Sequence, residues 1–180
     1  MQDENEKARA DFLWKVHSYT SDYIRLADTK AGAVIAWCGG LIGVLFASQT
    51  HHLFTHSSFA GTGGEFVTTL VAVSSLLAFV LLGVAVLFAF VAIKPRLWSS
   101  ETRTEKQKGY IYWGDITLHA TEDDFRKEIG SMNVDGLNGK CTDHTHVLAG
   151  IACKKYWWVN WSLWIAFAGS VVSAFARLFV

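Results

Sequence analysis

Hydrophobic and polar residues fall in long blocks along this chain and do not alternate residue by residue. Ala31 to Ser48, Phe66 to Ile93 and Trp157 to Ala176 contain no Asp, Glu, Lys or Arg. Each reaches the ~18 residues that make a transmembrane helix candidate. The second, at roughly 28 residues, would be ~42 Å long at 1.5 Å per residue, so it must tilt or protrude. A soluble chain of 180 residues could not bury three such segments on all sides. The pattern therefore predicts an all-α membrane protein with transmembrane helices over 31–48, 66–93 and 157–176.

The polar blocks read as helices too. Phe12, Val16, Tyr19, Tyr23 and Leu26 follow one another at steps of four, three, four and three, which lays them along one helical stripe. No Pro or Gly interrupts Glu4 to Ala31. Residues 1–30 are thus predicted as an amphipathic helix that continues into the first span, a rod of roughly 45 residues and ~65 Å. Lys94-Pro95 ends the second helix near Ile93 or Lys94, because proline disfavours helix for the residue before it. Ser99 to Lys108 is polar and reads as loop, and Tyr110 to Leu118 as a short aromatic-rich element. Thr121 caps a short helix opened by Glu122, Asp123 and Asp124, whose charges suit its positive end. Gly130 to Gly139 predicts a loop. A helix from Lys140 then runs through Lys155 into the third span. Residues 94–156 form a small helical region, 49–65 a connecting loop, and 177–180 the tail.

Lysine and arginine orient this arrangement. Five precede the first span (Lys7, Arg9, Lys15, Arg25, Lys30), the 49–65 loop has none, and ten lie between Lys94 and Lys155. The positive-inside rule places the N-terminus and residues 94–156 in the cytoplasm and the His-containing loop and C-terminus outside. Trp98, Trp157, Trp158 and Trp161 fall at the inner interface, as aromatic belts do. The first thirty residues lack the apolar core of a cleavable signal, so the first span is expected to direct insertion. Zero formal net charge carries no basic footprint for a nucleic acid partner.

No spacing typical of an enzyme is present: no glycine-rich phosphate loop, no His-Glu-x-x-His, no Gly-x-Ser-x-Gly. Asp115 and His119, four apart, suit a structural hydrogen bond better than proton transfer. Cys141, His144, His146 and Cys153 match no standard zinc pattern, and no cofactor is expected. Binding fits better. Arg25, Lys30, Arg96, Arg126, Lys154 and Lys155 supply cations for a phosphate, and Trp113 and Tyr156 supply aromatic faces for a base. Two plainer uses compete: cations next to spans snorkel to headgroups, and Arg25 and Asp28, one turn apart, are spaced to pair with each other. Helical phase sets Arg25 and Lys30 about 140° apart, which gives them different contacts. Gly39 with Gly43, and Ser162, Ala166, Ser170 and Ala174, are spaced for close helix approach. Three spans are too few to enclose a conduction path, so a homo-oligomer is expected.

The stretch Tyr23-Ile24-Arg25-x-Ala27-Asp28-Thr29-Lys30-Ala31 resembles the membrane effectors of bacterial Pycsar anti-phage systems. The likeness continues at Pro95, through Tyr112-Trp113-Gly114-Asp115-Ile116 and Phe125, to Ala152-x-x-Lys155-Tyr156. It implies a multi-pass protein of the bacterial inner membrane. It also implies a cyclic pyrimidine mononucleotide, cUMP or cCMP, as the signal, and membrane impairment leading to abortive infection as the output. Since no separate ligand domain is evident, the candidate ligand residues are Arg25, Asp28, Lys30, Trp113, Asp115, Lys155 and Tyr156. The rival reading is an oligomeric membrane scaffold with no small ligand.

Overall fold

A computed structural model of the chain describes residues 2–47, 64–94, 111, 116, 119 and 121–177. The described residues are helical almost throughout, with four helices: α1 (Gln2–Ala47), α2 (Gly64–Ile93), α3 (Glu122–Ser131) and α4 (Val134–Arg177). Three of them, α1, α2 and α4, contain windows long and apolar enough to cross a membrane. Trp98, Trp113, Asp115, the 99–108 segment and nearly all of the 49–65 loop lie outside the described residues.

α1 is a single helix of 46 residues. α3 begins where Thr121 accepts a hydrogen bond from the Asp124 backbone N–H at 3.1 Å, with three acidic residues in its first turn. The loop predicted over 130–139 shrinks to Met132 and Asn133, since α4 already starts at Val134. The Asn133 side chain causes this. Its Oδ1 accepts from the Gly136 N–H at 2.8 Å, an N-cap that satisfies an otherwise orphaned donor. Gly136 and Gly139 are carried inside the helix at about 1 kcal/mol each relative to alanine.

The residues group into two compact units, Met1–Arg25 with Pro95–Cys153, and Leu26–Lys94 with Lys154–Val180. The second unit packs the apolar stretches of α1, α2 and α4. In α2 the buried positions are Val71, Ser75, Ala78, Leu82, Ala85, Ala89 and Ala92. In α4 they are Lys155, Val159, Ser162, Ala166, Gly169, Ser173 and Ala176. In α1 they are Ala27, Ala31, Val34, Cys38 and Leu45, with Leu41 partly buried between the last two. In each helix the steps alternate between four and three. That is a 3.5-residue repeat, the spacing of left-handed, near-parallel helix packing.

Alanine is the commonest residue on these stripes, at eight of the nineteen buried positions. Lipid tails are as apolar as leucine, so burial from water does not hold such helices together; close backbone approach and dispersion do. One such close approach is at Gly169, where a Cβ would lie 3.1 Å from Leu82 Cδ2 and 3.2 Å from Leu81 Cβ. Gly39 and Gly43, expected at close contacts, are exposed, and a methyl group at either would meet nothing within 4 Å. Of the expected Ser162, Ala166, Ser170 and Ala174 run, the first two are buried and Ala174 is exposed. Steps of four alone drift off a face whose repeat is 3.5. Ser170 sits at the edge, where its Oγ accepts from Trp37 Nε1 at 3.1 Å and donates to the Ala166 carbonyl.

In the first unit α1 turns an unexpected face inward. Leu13, His17, Thr20 and Ile24 are partly buried, whereas Phe12, Tyr19 and Tyr23 are exposed. His17 Nδ1 lies 3.2 Å from Thr145 Oγ1, and its ring centroid is 5.3 Å from that of His144. Within the same unit His119 Nδ1 lies 3.2 Å from Glu128 Oε2 of α3.

Candidate functional site

Lysine at position 155 is the anomaly of the packed unit. It opens the buried stripe of α4, at a position where the succeeding members are Val159, Ser162 and Ala166. Its side chain is 7% exposed. An unpaired ammonium there would cost several kcal/mol in desolvation. Asp28 of α1 answers it: Lys155 Nζ donates to Asp28 Oδ1, and the carboxylate remains 38% exposed. Asp28 reaches this position because Ala27 and Ala31 are fully buried on either side of it. Those two small residues bring the α1 backbone close, and Asp28 follows 100° round from Ala27.

The neighbouring residues repeat the pairing in a looser form. Lys30 is exposed, and its Nζ stands 5.4 Å from the centroid of the Tyr156 ring. Tyr156 is partly buried and packs against the apolar core. With Lys30 in solvent, this cation–π contact contributes about 0.5–1 kcal/mol. Four of the candidate residues, Asp28, Lys30, Lys155 and Tyr156, are thus brought together as two α1–α4 contacts. The group offers two ammonium ions, a carboxylate and an aromatic face.

Arg25 behaves differently. It belongs to the other unit, is 82% exposed at its side chain, and lies 3.4 Å from Asp22. The expected Arg25–Asp28 pair is therefore replaced by Arg25–Asp22 and Asp28–Lys155. Both partners of Arg25 were one turn away, and the buried ammonium claims Asp28 because its need for a counter-charge is the greater. The 140° separation of Arg25 and Lys30 agrees with their separate contacts. Trp113 and Asp115 are among the residues not described. Beyond the cations, Trp157 stacks edge-on to Trp158 at 4.7 Å and lies 6.2 Å from Trp161. Sequence reasoning missed the Trp37–Ser170 link; an indole N–H inside an apolar span was its only signal.

The Pycsar effector protein domain matches residues 12–180, which takes in every candidate site residue. The chain belongs to the Pycsar effector family. It is similar to the Pycsar effector protein SaPycTM of Staphylococcus aureus, at 28% identity over 149 residues, 82% of this chain and 82% of that protein. No solved structure matches the chain. A Pycsar effector is an antiviral defence protein, and the three apolar helices make this one a membrane protein.

Proposed function

We propose that this Pycsar effector is a membrane protein switched by a cyclic pyrimidine mononucleotide, cUMP or cCMP, and that the switched form impairs the bacterial inner membrane. The reading takes the N-terminus and the 94–156 region as cytoplasmic, on the lysine and arginine asymmetry. The observation that carries it is the Asp28–Lys155 pair with Lys30 and Tyr156 beside it. A cyclic phosphodiester needs cations, and a pyrimidine needs a flat apolar face. Lys30 is exposed and Tyr156 only partly buried, so together they offer both at the surface of the unit. Lys155 becomes available to the phosphate only by parting from Asp28, and Arg25, Trp113 and Asp115 complete the proposed contact set.

That competition is also the switching step. A ligand changes an equilibrium only through its different affinity for two states. Here one state has Lys155 paired with Asp28, and the other has Lys155 paired with phosphate. Because Lys155 sits in the buried stripe of α4, the exchange alters the α1–α4 packing of the membrane unit. Homo-oligomerisation would let several such units act on one patch of bilayer.

Proteoliposomes loaded with a self-quenched dye test this. Added cUMP or cCMP should release dye from vesicles carrying the protein, and cAMP should not. Tyr156→Leu with Lys30→Gln should abolish release while the protein still inserts and keeps its helicity. Absence of release with both pyrimidine nucleotides would overturn the reading.

A further inference from the structure

The cytoplasm-proposed half of α1 carries two helical faces with the same period. One, Leu13, His17, Thr20 and Ile24, is partly buried within its own unit. The other, Phe12, Val16, Tyr19 and Tyr23, lies one residue away in sequence, about 100° round the helix. It also steps by four, three and four. Phe12 and Tyr19 are each 65% exposed, Tyr23 is 55% exposed, and Val16 between them is partly buried. A helix with two offset 3.5-residue seams packs on two sides at once, as in bundles of more than two helices.

We infer that the Phe12–Val16–Tyr19–Tyr23 seam docks a second copy of this chain, parallel and in register. Direction follows from α1 being one helix from Gln2 to Ala47 whose later part is a candidate span. Copies inserted in one membrane with one orientation must run their α1 helices the same way. In a parallel pair each layer meets itself, Phe12 on Phe12 and Tyr19 on Tyr19. Such self-stacking tolerates no charge in the seam, because like charges would face each other, and the four residues are all neutral. The charges Asp11, Lys15 and Asp22 lie beside the seam and carry both signs.

Area fits an association that depends on the membrane. Aromatic side chains bury ~150–250 Å² each when fully covered, so the three exposed rings offer roughly 350 Å² per copy. A pair covers about 700 Å², short of the ~1,200 Å² at which specific complexes in water begin. Confinement to a bilayer raises the effective concentration and makes up the difference without further contacts. The inference rests on the two faces of α1 and not on the nucleotide reading.

Cysteine cross-linking without any nucleotide tests it. In a Cys153→Ser background the remaining cysteines, Cys38 and Cys141, are buried. Phe12→Cys and Tyr19→Cys, reconstituted in bilayers, should form covalent dimers of twice the chain mass with a short bismaleimide. Ser21→Cys, exposed on the opposite side of α1, should cross-link several-fold less. Tyr19→Glu added to Phe12→Cys should lose most of the dimer while circular dichroism keeps its helical signal. Equal cross-linking at Ser21→Cys, none at Phe12→Cys and Tyr19→Cys, or an adduct of any other mass would overturn the inference.

Discussion

Removing one partner of the Asp28–Lys155 pair should cost more when the residue left behind is the lysine. The two groups differ in their access to solvent: Lys155 is 7% exposed and Asp28 38%. Breaking a fully buried pair costs ~3–5 kcal/mol, because an uncompensated charge stays in low dielectric. Asp28→Asn creates that situation for Lys155, softened by the amide oxygen that still accepts one hydrogen bond, so a loss of about 2–3 kcal/mol is expected. Lys155→Met leaves the charge on Asp28, which solvent already screens, and methionine fills much of the vacated stripe. Its cost should be no more than ~1 kcal/mol. The double variant Asp28→Asn with Lys155→Met should match Lys155→Met or exceed it, since a buried pair replaced by neutral groups of similar volume is often neutral to stability. A kcal/mol corresponds to roughly 2–4 °C in melting temperature for a chain of this size. Melting curves in one detergent, followed by intrinsic tryptophan fluorescence, would rank the three. Lys155→Met melting at or below Asp28→Asn would refute the argument, because burial would then not decide which charge is stranded.

Three further outcomes follow from the packing of the membrane unit. Gly169→Ala places a methyl 3.1 Å from the side chain of the fully buried Leu82, so it should lower the melting temperature by a few degrees, about 1–2 kcal/mol. Gly39→Ala and Gly43→Ala, measured in parallel, meet nothing within 4 Å and should be neutral or slightly stabilising. Trp37→Phe removes the hydrogen bond to Ser170 Oγ at the α1–α4 edge and should cost about 1 kcal/mol in the same melting assay.

The number and character of the long helices were legible from block hydropathy, because an uncharged run of that length has few other uses. Faces were harder. In the spans apolar residues lie on every side, so a hydrophobicity pattern cannot mark the buried face; the mark is residue size, with Ala27, Ala31, Ala78, Ala85, Ala89 and Ala92 on the 3.5-residue repeat. Outside the spans the pattern misled. Phe12, Val16, Tyr19, Tyr23 and Leu26 make an unbroken apolar and aromatic stripe, whereas Leu13 and Ile24 are separated by the polar His17 and Thr20, yet the second set is the one partly buried throughout. Polar side chains tolerate this because they find partners: Thr20 Oγ donates to the Val16 carbonyl at 2.8 Å, and His17 meets Thr145. The site was legible in composition and not in pairing. Sequence spacing offers Arg25 as the neighbour of Asp28, while the partner that wins, Lys155, comes from the far end of the chain.

Charge accounting in this cluster bears on which ligands it can accept. Asp28, Lys30 and Lys155 together carry one net positive charge, with Tyr156 neutral. A cyclic mononucleotide carries a single negative charge on its phosphodiester, whereas a linear mononucleotide carries nearly two, and a triphosphate more. Under the proposed reading, the cyclic ligand neutralises the cluster, and a more highly charged one leaves an excess of anions beside a carboxylate. At an effective dielectric of about 20, two like charges 4 Å apart repel by ~4 kcal/mol, so Asp28 would offset much of the attraction that the two ammonium groups give a second phosphate charge. Selectivity for cyclic over linear nucleotides would then need no dedicated clash. It would come from Asp28, the carboxylate that pairs with Lys155, so under that reading one group would both hold the resting arrangement and screen the ligand.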